Sequence, residues 1–183
     1  MVTFIQGNLL EIESGIICHQ VNCRKVAGAG LAKQISNKWP EWYTKYKNVS
    51  GYLGLVSWHK INDDLWLADL YAQDGFGRDR RYTNYAAFGK CLLDLSRTVD
   101  ATKLISVYLP KYVGCGLAGG DWQIVYRIIE DALPNAIIVE LSQRNLTQSQ
   151  PDLATCGDCG NELQPVRPGK YQCNHCESRQ AGY

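Results

Sequence analysis

Four cysteines are spaced for a metal. Cys156 and Cys159 form one C-x2-C knuckle, and after thirteen residues Cys173 and Cys176 form a second. Two such knuckles supply four thiolates, the donor set of a tetrahedral structural Zn2+ site. The segment between them, GNELQPVRPGKYQ, carries too little apolar material to fold by burial, so metal binding would supply its folding energy. Paired disulfides are the alternative, and they belong to oxidising compartments. The opening MVTFIQGNLLEIESG lacks a basic n-region and is broken by Glu11 and Glu13, so it does not read as a secretory leader. A cytoplasmic, reducing setting is expected. His175 lies inside the second knuckle and is expected to be a bystander beside four sulfurs. Cys18, Cys23, Cys91 and Cys115 are scattered, which suits small buried hydrophobes.

A second chemistry is carried by glycine. In LPKYVGCGLAGGDW, four of the seven residues from Gly114 to Gly120 are glycine. The run follows an apolar strand pattern and precedes a helical one. NCRKVAGAGLA repeats the arrangement with Gly28 and Gly30. A strand, a glycine loop and a helix together present backbone N–H groups to an anion, and missing Cβ atoms let a phosphate come close. Either loop alone is also compatible with a tight turn. Two of them suggest a diphosphate held from both sides. No Gly-Lys-Ser/Thr follows either loop, and neither has the G-x-G-x-x-G spacing, so P-loop and ordinary dinucleotide fingerprints are absent.

The elements that must position these loops alternate. MVTFIQGNLL opens with a short strand and Ile16 to Val21 form another. Leu31, Ile35 and Trp39 recur at helical spacing, and Pro40 opens a second helix in the favoured first-turn position. LGLVSWHKINDDLWLADLYA reads as strand, Asn-Asp-Asp turn, strand. NYAAFGKCLLDLSRTV is a helix with Phe88, Cys91, Leu92 and Leu95 on one stripe, and KLISVYLP is a strand. DWQIVYRIIEDAL is a helix whose apolar face carries Ile124, Val125, Ile128, Ile129 and Leu133, and NAIIVEL closes as a strand. The expected fold is α/β: a three-layer α/β/α sandwich on a mixed, mostly parallel sheet, followed by a small four-cysteine zinc ribbon. Ligands of such sheets bind beyond the carboxyl ends of the strands. The polar stretch 142–154 reads as a linker between a main domain at 1–141 and a ribbon at 155–177, with a tail at 178–183.

From Ile5 to Leu141 the chain resembles a macrodomain, the ADP-ribose-binding fold. The matching pieces are IQGNLL, IICHQVNC, VAGAGLAKQI, the Pro40, Tyr43, Tyr46 series and GCGLAGGDW, in that order. HQVN in the second strand marks the branch that holds ADP-ribose-1''-phosphate phosphatases and lysine-using ADP-ribosyl glycohydrolases. The resemblance implies that Val26, Ala27, Gly28, Ala29 and Gly30 form a first phosphate loop. It implies that Gly114, Cys115, Gly116 and Leu117 form a second, around the pyrophosphate and distal ribose. Asn22 falls where the family's distal-ribose asparagine lies. Asn8 stands where the family usually has an acid for the adenine amine, so charge assistance is lost there. His19, near the distal ribose, and Asp121, after the second loop, would serve as acid and base at a sugar phosphate. His19 also reads as a hydrogen-bonded core residue, and Asp121 as a helix cap.

A lysine glycohydrolase needs an amine to attack the sugar. The strand end that supplies it in those enzymes reads Tyr71-Ala72-Gln73-Asp74 here, and the aspartate they place after GCGL is Ala118. Arg78, Arg80 and Arg81 instead enrich the following loop, either to grip an extra terminal phosphate or as a solvated surface. The first functional expectation is therefore hydrolysis of ADP-ribose 1''-phosphate. A non-catalytic module that binds ADP-ribose nucleotides is the alternative, with glycohydrolysis of modified nucleic acid or protein behind both. No catalytic metal is expected. The 183-residue chain has a net charge of +1, which gives no overall attraction to nucleic acid or membrane. Residues 142–183 hold four Lys/Arg and four Asp/Glu, a poor footprint for nucleic acid, so the ribbon is expected to serve stability or a protein partner.

Overall fold

The computed structural model describes residues 1–77, 79–100 and 105–141, and the backbone of 164–167 and 170–172. The chain forms two units, Met1–Ser142 and Gln143–Tyr183.

Six strands of the first unit make one sheet: β1 (Thr3–Gln6), β2 (Gly15–Asn22), β3 (Val56–Lys60), β4 (Leu65–Gln73), β5 (Val107–Pro110) and β6 (Ile137–Glu140). Their spatial order is β1-β6-β5-β2-β4-β3. All neighbours run parallel except β3, which pairs antiparallel with β4 as the expected hairpin. Asn62 makes the hairpin turn by accepting through Oδ1 from the N–H groups of Asp64 and Leu65.

Alternation along the strands builds two cores. Ile16, Cys18, Ala68, Leu70, Leu109 and Ile138 face α3 (Tyr85–Asp100) and α4 (Trp122–Ala132). Ile17, Val21, Leu65, Leu67 and Tyr71 face α1 (Gly30–Lys38) and α2 (Pro40–Asn48). The result is the expected three-layer α/β/α arrangement. The α3 stripe of Phe88, Cys91, Leu92 and Leu95 is wholly buried, and Pro40 opens α2. On α4, Val125 and Ile129 are buried, but Ile124 is exposed and lies off the buried stripe. β1 is exposed throughout, since it lies at the sheet edge with β6 as its one strand neighbour. Among the described residues, no helix is long and apolar enough to cross a membrane.

The second unit contains a short antiparallel pair, β7 (Gln164–Arg167) and β8 (Lys170–Gln172). Cys156, Cys159, Cys173 and Cys176, the 142–154 linker and the 178–183 tail lie outside the described residues, and so does Arg78. Among the described residues no cluster of metal-ligating side chains occurs.

Candidate functional site

A cavity of about 610 Å³ opens at the carboxyl ends of β2, β4 and β5. Ligand sites commonly span about 300–1,000 Å³. His19 to Asn22 form one wall, from the end of β2. The loop after β2 and the start of α1 supply a second wall, and the end of β5 and the loop after it, residues 110–114 and 116–118, supply a third.

The first loop is fixed by Asn22. Its Oδ1 accepts from Val26 N at 3.1 Å and its Nδ2 donates to Val26 O at 2.7 Å. Tyr46 holds the strand end beneath by donating its hydroxyl to Asn22 O at 2.6 Å. The chain then enters α1 at Gly30, behind Ala29. That helix start has no side-chain cap and no acid in its first turn. The helices of the opposite layer are capped: Asp121 Oδ1 accepts from Gln123 N on α4, and Asn84 Oδ1 from Ala87 N on α3, whereas α2 starts at Pro40 without a side-chain cap. Ala29, Gly30, Leu31 and Ala32 line the cavity, so the unused N–H groups of α1 lie where an anion would bind.

The second loop is held from behind. Gln20 Nε2 donates to Thr83 Oγ1 at 2.9 Å, and Thr83 Oγ1 donates to Gly114 O at 2.6 Å. Gly114 has φ of 71°, and a Cβ there would lie 2.5 Å from Gln20 Oε1, so this position requires glycine. Gly116 differs. A Cβ there would meet nothing within 4 Å, and the residue lines the cavity.

His19 reaches the cavity wall from β2, and its partner is Asp69. His19 and Asp69 are register partners on adjacent strands, and Ser57 on β3 pairs with Asp69 from the other side. Asp69 is wholly buried. Its Oδ1 accepts from His19 Nε2 at 2.8 Å and Trp42 Nε1 at 2.9 Å. Its Oδ2 accepts from His59 Nε2 at 2.8 Å and Ser57 Oγ at 3.1 Å. His19 Nδ1 has no hydrogen-bond partner in the protein.

No family model matches the chain. A curated "DNA ADP-ribosyl glycohydrolase" of Mycobacterium bovis is 26% identical over 132 residues, which cover 68% of this chain and 36% of that protein. The chain thus spans about a third of that relative's length. A solved protein of unknown function from Bacteroides thetaiotaomicron is 31% identical, with a TM-score of 0.67, over 77% of this chain and 98% of that one. The macrodomain of Mycobacterium tuberculosis DarG superposes with a TM-score of 0.66 at 25% identity, over 78% of this chain and 99% of that one. The chain has the macrodomain fold.

In this macrodomain most of the expected ligand-binding residues meet at one cavity. Asn22, Val26, Gly28, Ala29 and Gly30 line it from the end of β2, the loop after it and the start of α1, Gly114, Gly116 and Leu117 line it from the loop after β5, and His19 lines it as well. Asn8, Ala27, Cys115 and Asp121 are not among the lining residues. Asn8 Oδ1 caps the 3-10 turn Leu9–Glu11 by accepting from Leu10 N, and Asn8 Nδ2 donates to Glu11 Oε1. Ala27 packs into the α1/α2 core. The Cys115 thiol turns back to Val113 O, and burial, with the nearby charge of Asp121, pushes its pKa up to about 11. Asp121 is an exposed cap, so the acid that meets His19 is Asp69 rather than Asp121. Arg80 and Arg81 are not among the lining residues either, and their guanidinium groups lie over the rings of Tyr82 and Tyr85.

The cavity also holds residues that sequence reasoning passed over: Gln20, Gln73, Phe76, Lys111 and Tyr112. Gln73 was legible only as a missing lysine. Among the described lining residues Lys111 is the one Lys, Arg, Asp or Glu, and its Nζ donates to Glu140 Oε1 at 2.5 Å. That hydrogen bond pushes the Lys111 pKa up.

Burial pushes the Asp69 carboxyl up, but the hydrogen bonds and charges of His19 and His59 outweigh it and hold it at about 2. A depressed carboxyl stabilises the fold above its unfolded pKa, and the stabilisation is lost as pH falls through the folded value. The window here runs from about pH 4 down to about pH 2. Urea unfolding of the wild type should show a loss of about 2 kcal/mol across it that an Asp69→Asn variant lacks. Parallel curves for the two proteins would contradict this account of Asp69.

Proposed function

We propose that the macrodomain binds ADP-ribose bearing a group on the anomeric carbon of its distal ribose and removes that group by hydrolysis. ADP-ribose 1''-phosphate is the proposed substrate, and ADP-ribose and phosphate are the products. The observation that carries this is a histidine lining the same cavity as two glycine loops, with one ring nitrogen on a buried carboxylate and the other without a partner. In the proposed reaction His19 takes a proton from water as its oxygen bonds to phosphorus. The bond from phosphorus to the sugar oxygen breaks, and His19 returns the proton to that oxygen. The α1 N-terminus and the 114–117 loop hold the diphosphate.

Other nucleophiles are poorly placed. The Lys111 amine is paired with Glu140 and kept protonated, and Cys115 is not among the lining residues, its thiol hydrogen-bonded to Val113 O and kept neutral. Lys111→Ala should therefore leave turnover within about twofold, whereas His19→Ala should lower it by about 100-fold or more, the scale of a lost acid–base group. Phosphate release from ADP-ribose 1''-phosphate, with calorimetric titration of ADP-ribose alongside, checks both. Tight ADP-ribose binding without phosphate release would leave a binding module. A second reading, glycohydrolysis of ADP-ribosylated DNA, is favoured by the name of the mycobacterial relative. It replaces the first if the protein strips ADP-ribose from modified DNA.

For the second unit we propose one structural Zn2+ held by Cys156, Cys159, Cys173 and Cys176. The β7–β8 pair falls between the two knuckles, so one hairpin separates the ligand pairs in the chain. X-ray absorption should show four sulfurs and no nitrogen around one zinc per chain. A nitrogen ligand, or disulfides in freshly prepared protein, would remove this assignment.

A further inference from the structure

We propose that Asp69 is the positioning acid of His19: it holds the imidazole with Nε2 protonated and offers Nδ1 as an acceptor to a hydroxyl or water in the cavity. The proposal rests on ADP-ribose binding there.

A carboxylate in the middle of an apolar strand is costly. Asp69 lies between Leu67 and Tyr71 on a face otherwise packed against α1 and α2. An apolar residue of similar volume would generally serve stability as well or better. The chain instead spends four donors from three different elements on it: His19 from β2, His59 and Ser57 from β3, and Trp42 from α2. The indole N–H of Trp42 is a donor with no acceptor, so Asp69 Oδ1 acts as an acceptor. His19 Nε2, on the same oxygen, must then donate. In the neutral ring the other nitrogen carries a lone pair. That nitrogen, Nδ1, has no protein partner although His19 is 1% exposed and lines the cavity. A buried polar atom without a partner is uncommon in native structures and calls for an explanation. A ligand hydroxyl supplies one. His59 and Ser57 secure Oδ2, so the carboxylate cannot rotate away from His19. The side chain of Trp42 also packs edge-on against the His19 ring, 5.2 Å between centroids, and restricts its tilt.

The test uses the 15N-labelled full chain and long-range proton–nitrogen correlation spectra of its three histidines, assigned through His59→Gln and His175→Gln. His19 is expected to show a protonated Nε2 and a bare Nδ1, and added ADP-ribose is expected to move the Nδ1 resonance toward that of a hydrogen-bonded nitrogen. Asp69→Asn is expected to lose the tautomer preference and to lower kcat by about 10²–10⁴-fold with KM little changed. Trp42→Phe, which removes one anchor of the carboxylate, is the milder variant and should lower kcat less, again without raising KM. A protonated Nδ1 in the ligand-free wild type would overturn the proposal. So would folded Asp69→Asn with wild-type kcat, or ADP-ribose that shifts the amides of residues 26–30 and 114–117 while leaving Nδ1 unmoved. ADP-ribose that perturbs no resonance overturns the binding function, and this inference with it. ADP-ribose that moves Nδ1 in a protein releasing no phosphate leaves the positioning role standing and removes only the phosphatase activity.

Discussion

Gly116→Val should weaken ADP-ribose binding by on the order of 100-fold or more, equivalent to about 3 kcal/mol, while the protein unfolds at an unchanged denaturant midpoint. The two halves of this expectation have separate causes. The fold is spared because the backbone at Gly116 does not lie in the left-handed region and a Cβ there meets no atom within 4 Å. Binding is lost because that open space is the cavity itself. A branched side chain there would stand between the ligand and the loop's N–H groups, and a closely packed site cannot absorb the added volume. Gly114→Val, two residues earlier, is the contrasting case. With φ of 71° and Gln20 Oε1 at 2.5 Å, it should destabilise the whole unit by about 1–3 kcal/mol. Calorimetric titration beside urea unfolding separates the two variants. A folded Gly116→Val protein with wild-type affinity would move the ligand out of this cavity.

Asp69→Ala should cost about 3–5 kcal/mol of stability, the usual result of removing one member of a buried ionic network. The loss has little to do with the volume of an aspartate. It comes from the donors left behind: His19 Nε2, His59 Nε2, Trp42 Nε1 and Ser57 Oγ all lose the acceptor they share. A typical domain has only about 5–15 kcal/mol in total, so partial unfolding at room temperature is expected. Trp42→Phe removes one donor and leaves the acceptor satisfied by the other three, so it should cost far less. Equal midpoints for wild type and Asp69→Ala in urea would mean that the network contributes nothing to the fold.

The glycine loops were legible in the sequence because their signal is local. A glycine run after a strand and before a helix places backbone groups by chain geometry alone, and eight residues expected from the two loops and Asn22 do line the cavity. The Asp69 network was not legible, because its members come from β2, α2, β3 and β4. His19 and Asp69 are 50 residues apart in sequence and meet only through strand register. Asp121 drew attention as the nearest acid to a glycine loop, yet the local rule it obeys is helix capping. A trace of the network was present all the same. In LWLADLYA, Asp69 is the one charged residue of an otherwise apolar strand, at an inward position, and such an interruption is informative. The exposure of β1 was likewise hidden, since TFIQ looks like any short strand until the sheet order puts it at an edge.

The position of β1 also governs how the unit can be made. Thr3 pairs with Ile137 and Gln6 with Glu140, so the earliest strand of the chain waits for the latest strand of the unit. Contacts of such wide sequence separation slow folding, because loop-closure entropy is lost before any pairing offsets it. On a ribosome the N-terminal strand would emerge first and remain unpaired until residues 137–140 had cleared the exit tunnel. Its exposed Phe4 and Ile5 would be open to wrong partners for that whole interval. A chain released before Ile137 would strand β1 permanently. A permuted chain that joins β6 to β1 through a short loop and opens elsewhere would turn this pairing of wide sequence separation into a local one.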